Sequence, residues 1–361
     1  MDNNIIYDYI VKNVRLWTIN TKELEKISKA KSLFVPTNVE KILHHGKNED
    51  FIAFHDNIDL EKIDVDENNP FFYSNGNNVI IEKATQKLIF GCKNTNITNE
   101  VKIIGPRAFF RCRDIEKIVI PRSVVKIDSW AFCNCKNLKE VIIKNGVKII
   151  DDYAFYGSDI EKIIIPNSIV KIGTAAFYSC KNLKEVIIKD EVKEIDDYAF
   201  FDTNIEKIVI PRSVVKIGYW AFCICENLKE VILEDGIEEI GGYAFFNTNI
   251  EKIIIPRSVT KIGSWAFCNC KNLKEIVINE GVKEIGIRAF LNTNIEKIVI
   301  PSSVIKIDIG AFGQCENLKE VIIKDGVKEI GDYAFLNTNI EKIVIPRSVV
   351  KIGKQIFTTK K

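Results

Sequence analysis

An Ala-Phe pair returns along this chain every 22 or 23 residues. It stands at Ala108–Phe109, Ala131–Phe132, Ala154–Phe155, Ala176–Phe177, Ala199–Phe200, Ala221–Phe222, Ala244–Phe245, Ala266–Phe267, Ala289–Phe290, Ala311–Phe312 and Ala334–Phe335. A worn copy, Ile356–Phe357, closes the series. From Phe132 onward the two step lengths alternate, so the repeating unit is a pair of turns about 45 residues long. A repeat of this size cannot bury its apolar face alone. Stacked neighbours bury it jointly, and the pattern predicts a repeat solenoid, mostly β with short turns or 3-10 segments and little helix. The 361 residues would otherwise suggest two or three domains.

The two kinds of turn differ in wording. The shorter runs Tyr198-Ala-Phe-Phe-Asp-Thr-Asn-Ile205-Glu-Lys-Ile208-Val-Ile210-Pro211, and the longer runs Trp220-Ala-Phe-Cys-Ile-Cys-Glu-Asn-Leu228-Lys-Glu-Val231-Ile-Leu233-Glu. Both carry the spacing apolar-x-x-apolar-x-apolar, whose last part alternates with period two and is rich in Ile and Val. It reads as a short strand. Pro121, Pro166, Pro211, Pro256, Pro301 and Pro346 end alternate strands, where a missing donor limits strand length. Val124, Ile127 and the following Ala-Phe pair are the apolar set of a second wall.

These phrases resemble the BspA-like leucine-rich-repeat family, whose units read roughly Leu-x-x-Ile-x-Ile-Pro-x-x-Val-x-x-Ile-Gly-x-x-Ala-Phe-x-x-Cys. Residues 101–357 match as a regular array. Leu60-Glu-Lys-Ile63-Asp-Val65-Asp-Glu-Asn-Asn-Pro70 resembles a family hallmark, and Leu33-Phe-Val35-Pro36 aligns with Ile118-Val-Ile120-Pro121. The expected organisation is a cap or extension over 1–32, with Asn3–Lys12 as a short amphipathic helix. Divergent leading repeats with insertions follow over 33–100, then the array over 101–357 and a tail over 358–361. The resemblance implies a curved, horseshoe-like solenoid with its strand sheet on the concave side. It also implies a partner-binding protein or a surface adhesin.

Strand alternation maps what faces outward. One outward column reads Lys117, Glu140, Lys162, Glu185, Lys207, Glu230, Lys252, Glu275, Lys297, Glu320 and Lys342, and a second runs from Lys171 to Lys351 with the same alternation. Such ladders fix the register of neighbouring turns. The next outward column is apolar: Val119, Ile142, Ile164, Ile187, Val209, Ile232, Ile254, Val277, Val299, Ile322 and Val344. Exposed in full, it would form a stripe of the kind that marks an interaction surface; otherwise it serves strand propensity beneath the Lys and Glu stems. A third column precedes each Ala-Phe pair and is aromatic at Trp130, Tyr153, Tyr198, Trp220, Tyr243, Trp265 and Tyr333. Those rings are either a binding hot spot, sugars included, or a cover for the back of the solenoid.

No motif for catalysis accompanies this pattern. His44, His45 and His55 lack neighbouring ligands at metal-binding spacing, and Asp64-x-Asp66-Glu67 lacks the glycine and distal Glu of a calcium loop. Phosphate loops, nucleophile elbows and His-Glu-x-x-His are absent. We therefore expect no enzyme, cofactor or metal. With 51 basic and 49 acidic residues interleaved, no nucleic-acid footprint is expected, and no apolar run is long enough for membrane insertion. Cys135, Cys180, Cys225, Cys270 and Cys315 recur two turns apart, roughly 9.6 Å, beyond disulfide reach. Cys112 and Cys135 alone share a column on adjacent turns. So many unpaired thiols, and no leader in Met1 to Lys31, point to a cytoplasmic location. The alternative is a cell-surface or unconventionally secreted protein.

The expected function is a non-enzymatic protein-protein interaction scaffold, with a protein partner held on the strand face. The alternative is a surface adhesin binding a host protein or glycan. Candidate contact residues are Ile164, Ile187, Val209, Ile232 and Ile254 in the apolar column, and Trp130, Tyr198, Trp220, Tyr243 and Trp265 in the aromatic one.

Overall fold

The computed structural model describes residues 9–10, 30–40, 42 and 60–357. The histidines, Ala53–Phe54, the 358–361 tail and nearly all of the 1–32 extension lie outside the described residues. The chain divides into two compact units, Met1–Ile163 and Ile164–Lys361, so the boundary falls inside the regular array. Both are β-solenoids whose repeated turns pair in parallel, and no helix occurs among the described residues.

The first unit opens with three parallel strands, Tyr9–Ile10, Ser32–Val35 and Lys62–Val65, in register Tyr9 to Leu33 and Leu33 to Ile63. Tyr9–Ile10 is thus strand where a helix over Asn3–Lys12 was expected; its backbone is taken up by pairing with Leu33 and Phe34. Asn69, fully buried in the hallmark segment, staples this region. Its Nδ2 donates to the carbonyls of Pro36 (2.7 Å) and Val39 (3.2 Å), and its Oδ1 accepts from the N–H groups of Phe71 and Phe72. Two antiparallel hairpins then follow through Phe72–Tyr73, Val79–Glu82 and Lys87–Gly91. Lys87–Gly91 pairs parallel with Ile103–Ile104, and the regular turns begin there.

From that point each turn has a four-residue strand, a two-residue strand and a wall of tight turns. In the first unit Lys117–Ile120 pairs with Glu140–Ile143, and Lys126–Ile127 with Ile149–Ile150. In the second unit the four-residue strands run from Glu185–Ile188 to Glu275–Ile278 and again from Lys297–Ile300 onward, in two ladders, the last of which ends in the three-residue Lys342–Val344. The two-residue strands run from Lys171–Ile172 to Lys351–Ile352. Pro211, Pro256 and Pro301 directly follow the strands Lys207–Ile210, Lys252–Ile255 and Lys297–Ile300, as expected of residues without a ladder donor.

The Ala-Phe pair builds the third wall. In the second unit the Trp220 N–H donates to the Gly242 carbonyl (3.0 Å), Phe222 to Ala244 (2.8 Å) and Ile224 to Phe246 (2.9 Å). Between them Cys223 bonds back to Trp220 within its own turn (3.2 Å). Alternate amides therefore reach the next turn while the others close local bends, so the wall needs no helix. Phe177, Phe200, Phe222, Phe245, Phe267, Phe290, Phe312 and Phe335 are fully buried and stacked at 5.2 to 5.5 Å between centroids. Phe109, Phe132 and Phe155 form the same ladder in the first unit.

Two positions per turn are left-handed. One is the residue before Ala-Phe, such as Trp220 at φ 62°; the other lies four residues on, as at Asn247, Asn269, Asn292 and Asn337. Asn tolerates this region, but a β-branched side chain does not. Ile224 occupies the second position at φ 59°. Changing Ile224 to Asn should therefore stabilise the chain by about 1 kcal/mol, read as a higher urea midpoint; a lower midpoint would show that the Ile224 side chain makes up for its backbone.

Candidate functional site

The outward positions of the four-residue strands lie where alternation puts them. In the second unit Ile208 and Ile210 are buried, while Val209 between them is 37% exposed. Ile164 (45%), Ile232 (41%) and Ile254 (48%) are exposed likewise, and Ile187 is half-buried. Val209 stands directly opposite Ile232, and Ile254 opposite Val277. Neighbouring strands lie about 4.8 Å apart, so these side chains form a continuous apolar row.

A charge ladder flanks that row. Lys207 pairs with Glu230 (2.7 Å), Lys252 with Glu275 (2.6 Å) and Lys297 with Glu320 (2.7 Å), each Lys reaching the Glu of the following turn. Glu320 also takes Lys342 (2.8 Å), and the hydrogen bonds from Lys297 and then Lys342 hold its carboxyl down at about 2. Pairing in this solvent-exposed ladder contributes little stability but leaves the face near neutral. In the first unit Lys117–Glu140 (2.9 Å) flanks Val119 and Ile142 in the same way.

The aromatic column makes a different surface. In the second unit Tyr198, Trp220, Tyr243 and Trp265 stack face to face at 6.0, 4.0 and 5.6 Å, and the Arg288 guanidinium lies over Trp265 at 4.7 Å. In the first unit Trp130 stacks on Tyr153 at 4.3 Å. Both faces of Trp220, Tyr243 and Trp265 are thus taken by neighbouring rings or by Arg288, while Tyr198 and Trp130 each give one face to the next ring; the side chains of all five are half-buried. A second column, three residues further along each turn, tiles against the first: Tyr156 in the first unit, and Tyr178, Phe201 and Phe246 in the second. The sequence carried this signal in the residue after each Ala-Phe pair, yet the smaller Cys133, Cys223 and Cys268 interrupt it.

The thiols are interior. All ten cysteines are free, including Cys112 and Cys135, and Cys135 donates to the Phe109 carbonyl at 3.0 Å. Each of Cys225, Cys270 and Cys315 lies 3.2 Å from the hydroxyl of Thr203, Thr248 or Thr293 on the preceding turn. Hydroxyls thus fill the intervening turns of the cysteine column, which the spacing argument overlooked. Burial pushes these three thiols up to about 11, so they are poor nucleophiles. Among the described residues no three His, Cys, Asp or Glu side chains are placed to hold a metal, and no helix is long and apolar enough to cross a membrane.

Comparisons with known proteins agree with this architecture. A leucine-rich repeat protein from Bacteroides ovatus has 24% identity and a TM-score of 0.59 over 80% of this chain and 89% of its own, which shows the shared fold. The pneumococcal vaccine antigen PcpA is 28% identical over 70% of this chain and 71% of its own, with a TM-score of 0.49. A leucine rich cell surface protein from Faecalibacterium prausnitzii is 22% identical over 81% and 96%, with a TM-score of 0.39. No curated protein matches the sequence. The model of the BspA type leucine rich repeat region, in six copies, matches residues 79–200, 148–264, 193–308 and 238–361. With those overlapping matches running from Val79 to the last residue, the chain belongs to the BspA type leucine-rich repeat family.

Proposed function

We propose that the chain is a non-enzymatic scaffold that binds a protein partner on the outward face of its four-residue strands, through Ile164, Ile187, Val209, Ile232 and Ile254. The observation that carries this reading is a row of β-branched side chains left in solvent beside a ladder whose charges neutralise one another. Apolar rows of this kind are costly to leave uncovered and mark interaction surfaces. Paired Lys and Glu stems beside them supply a polar rim. Surface adhesion to a glycan is less favoured, because Trp220, Tyr243 and Trp265 have both ring faces stacked and offer none to a sugar. Ten free thiols, nine of them buried, favour a reducing compartment for this activity.

The test is the triple variant Ile187→Ser, Val209→Ser and Ile232→Ser, compared with the parent in quantitative capture from the native cell. Binding of the captured partner should fall at least tenfold, with thermal unfolding shifted by only a few degrees. Unchanged capture of every partner would remove this face from consideration.

A further inference from the structure

The sequence Ser-Trp-Ala-Phe-Cys-Asn-Cys-Lys occurs twice, over 129–136 and 264–271, and the turn at 219–226 repeats it with three changes. Tyr219 stands for Ser, Ile224 for Asn and Glu226 for Lys. Each change falls on a side chain that reaches the surface and none on the stacked core: Tyr219 is 45% exposed, Glu226 is exposed and Ile224 is half-buried. Ile224 puts a β-branched side chain into left-handed backbone at φ 59°, where Asn247, Asn269, Asn292 and Asn337 serve in other turns. Two carbons of the Tyr219 ring lie 3.0 and 3.1 Å from where a Cβ on Gly242 would stand, so the ring occupies space that the next turn leaves empty. Strain kept against an easier alternative points to a side chain that is used. The third change sets the sign of the charge. The Glu226 carboxylate accepts from the Asn247 amide at 3.3 Å, and the Asp197 carboxylate accepts from the Tyr219 N–H at 2.7 Å. Neither meets a cation among the described residues, whereas Asp202 is taken by Lys181.

We propose that Tyr219, Trp220 and Ile224, with Asp197 at one end and Glu226 at the other, form a docking surface on the Ala-Phe wall for a segment of another protein that carries apolar side chains flanked by Lys or Arg. The apolar stripe takes the apolar side chains, and Tyr and Trp are the residue types that dominate such contacts. The two carboxylates take the basic groups, and the exposed Tyr219 ring adds a cation–π contact. Acidic segments are turned away by the same carboxylates, because like charges brought together across an interface are costly. This surface shares no residue with the row of Ile187, Val209 and Ile232, so each stands or falls by itself.

The control is written in the chain itself: Tyr219→Ser with Ile224→Asn and Glu226→Lys gives the turn the sequence that already folds at 129–136 and 264–271. The probe is a phage-displayed library of random dodecapeptides panned on the whole parent chain, with enriched peptides then synthesised, labelled and titrated by fluorescence anisotropy. Enriched peptides should combine apolar residues with Lys or Arg and bind the triple variant at least tenfold more weakly. Glu226→Lys alone should weaken them, and replacing their basic residues by Glu should restore binding to that variant while abolishing it to the parent. Ile224→Asn alone should lower affinity while raising the urea midpoint. The strand-face variant Ile187→Ser, Val209→Ser and Ile232→Ser should bind the peptides as the parent does. Failure to enrich any peptide would overturn the proposal, as would an acidic or uncharged consensus, or equal affinity for the parent and the triple variant. Loss of binding through the strand-face variant would also overturn it. Sedimentation that finds a parent dimer which the triple variant abolishes would overturn it in favour of a second copy of this chain.

Discussion

Phe245→Ala is expected to destabilise the chain by about 3–5 kcal/mol, the usual cost of deleting a fully buried aromatic ring. Phe245 is sandwiched between Phe222 and Phe267 at 5.3 and 5.2 Å. The gap cannot close by collapse. Phe245 N–H is tied to Ala266 O, and Phe222 N–H to Ala244 O, both at 2.8 Å, and these bonds pin the turns apart. Because stability in a repeat array is a sum over neighbouring interfaces, the lesion weakens two interfaces at once and should split urea unfolding into two transitions. Phe357→Ala, where among the described residues the ring stacks on Phe335 only, at 6.0 Å, should cost far less. Equal losses at both positions would show that the ladder is not what couples the turns.

A neighbouring pair of substitutions should separate the faces of one strand. Ile208→Asp places an unpaired carboxylate at a position 1% exposed to solvent and should cost more than about 4 kcal/mol, enough to disrupt the turns around it. Val209→Asp, one residue along, stays in solvent beside Lys207 and should change stability by no more than about 0.5 kcal/mol. Circular dichroism in urea reads both. Similar losses for the two would mean that Val209 is packed as well, and the proposed binding row would be lost with it.

Period and parity made the regular array legible before any coordinates. The spacing Ile208-x-Ile210 alone predicted which side chains turn inward, and the recurrence of Ala-Phe predicted a stacked core. Contacts whose sequence signal is diluted were not legible. The second aromatic column mixes Tyr156, Tyr178, Phe201 and Phe246 with Cys133, Cys223 and Cys268 in no regular order, so no single residue type repeats. The Thr203–Cys225 pair joins two kinds of turn, and it emerges only when the offset between them is known. Left-handed backbone at Trp220 or Ile224 is invisible to a hydrophobic pattern, because φ is dictated by bonds to the next turn. The hairpins between Phe72 and Gly91 escaped for the opposite reason: they break the period, and Asn69, which anchors them, does so with a side chain. At the candidate site, alternation revealed orientation, while the mutual stacking of Trp220 and Tyr243 required geometry.

The pairing of Lys with the Glu of the following turn also restricts how such a gene can change length. Excising one turn of 22 or 23 residues, for instance between Lys207 and Lys252, would bring two lysines face to face and join turns of the same kind. Excising about 45 residues restores Lys against Glu, Cys against Thr and Pro at every second strand end. Arrays of this design should therefore gain and lose turns in twos, and homologues of different length should differ by whole pairs.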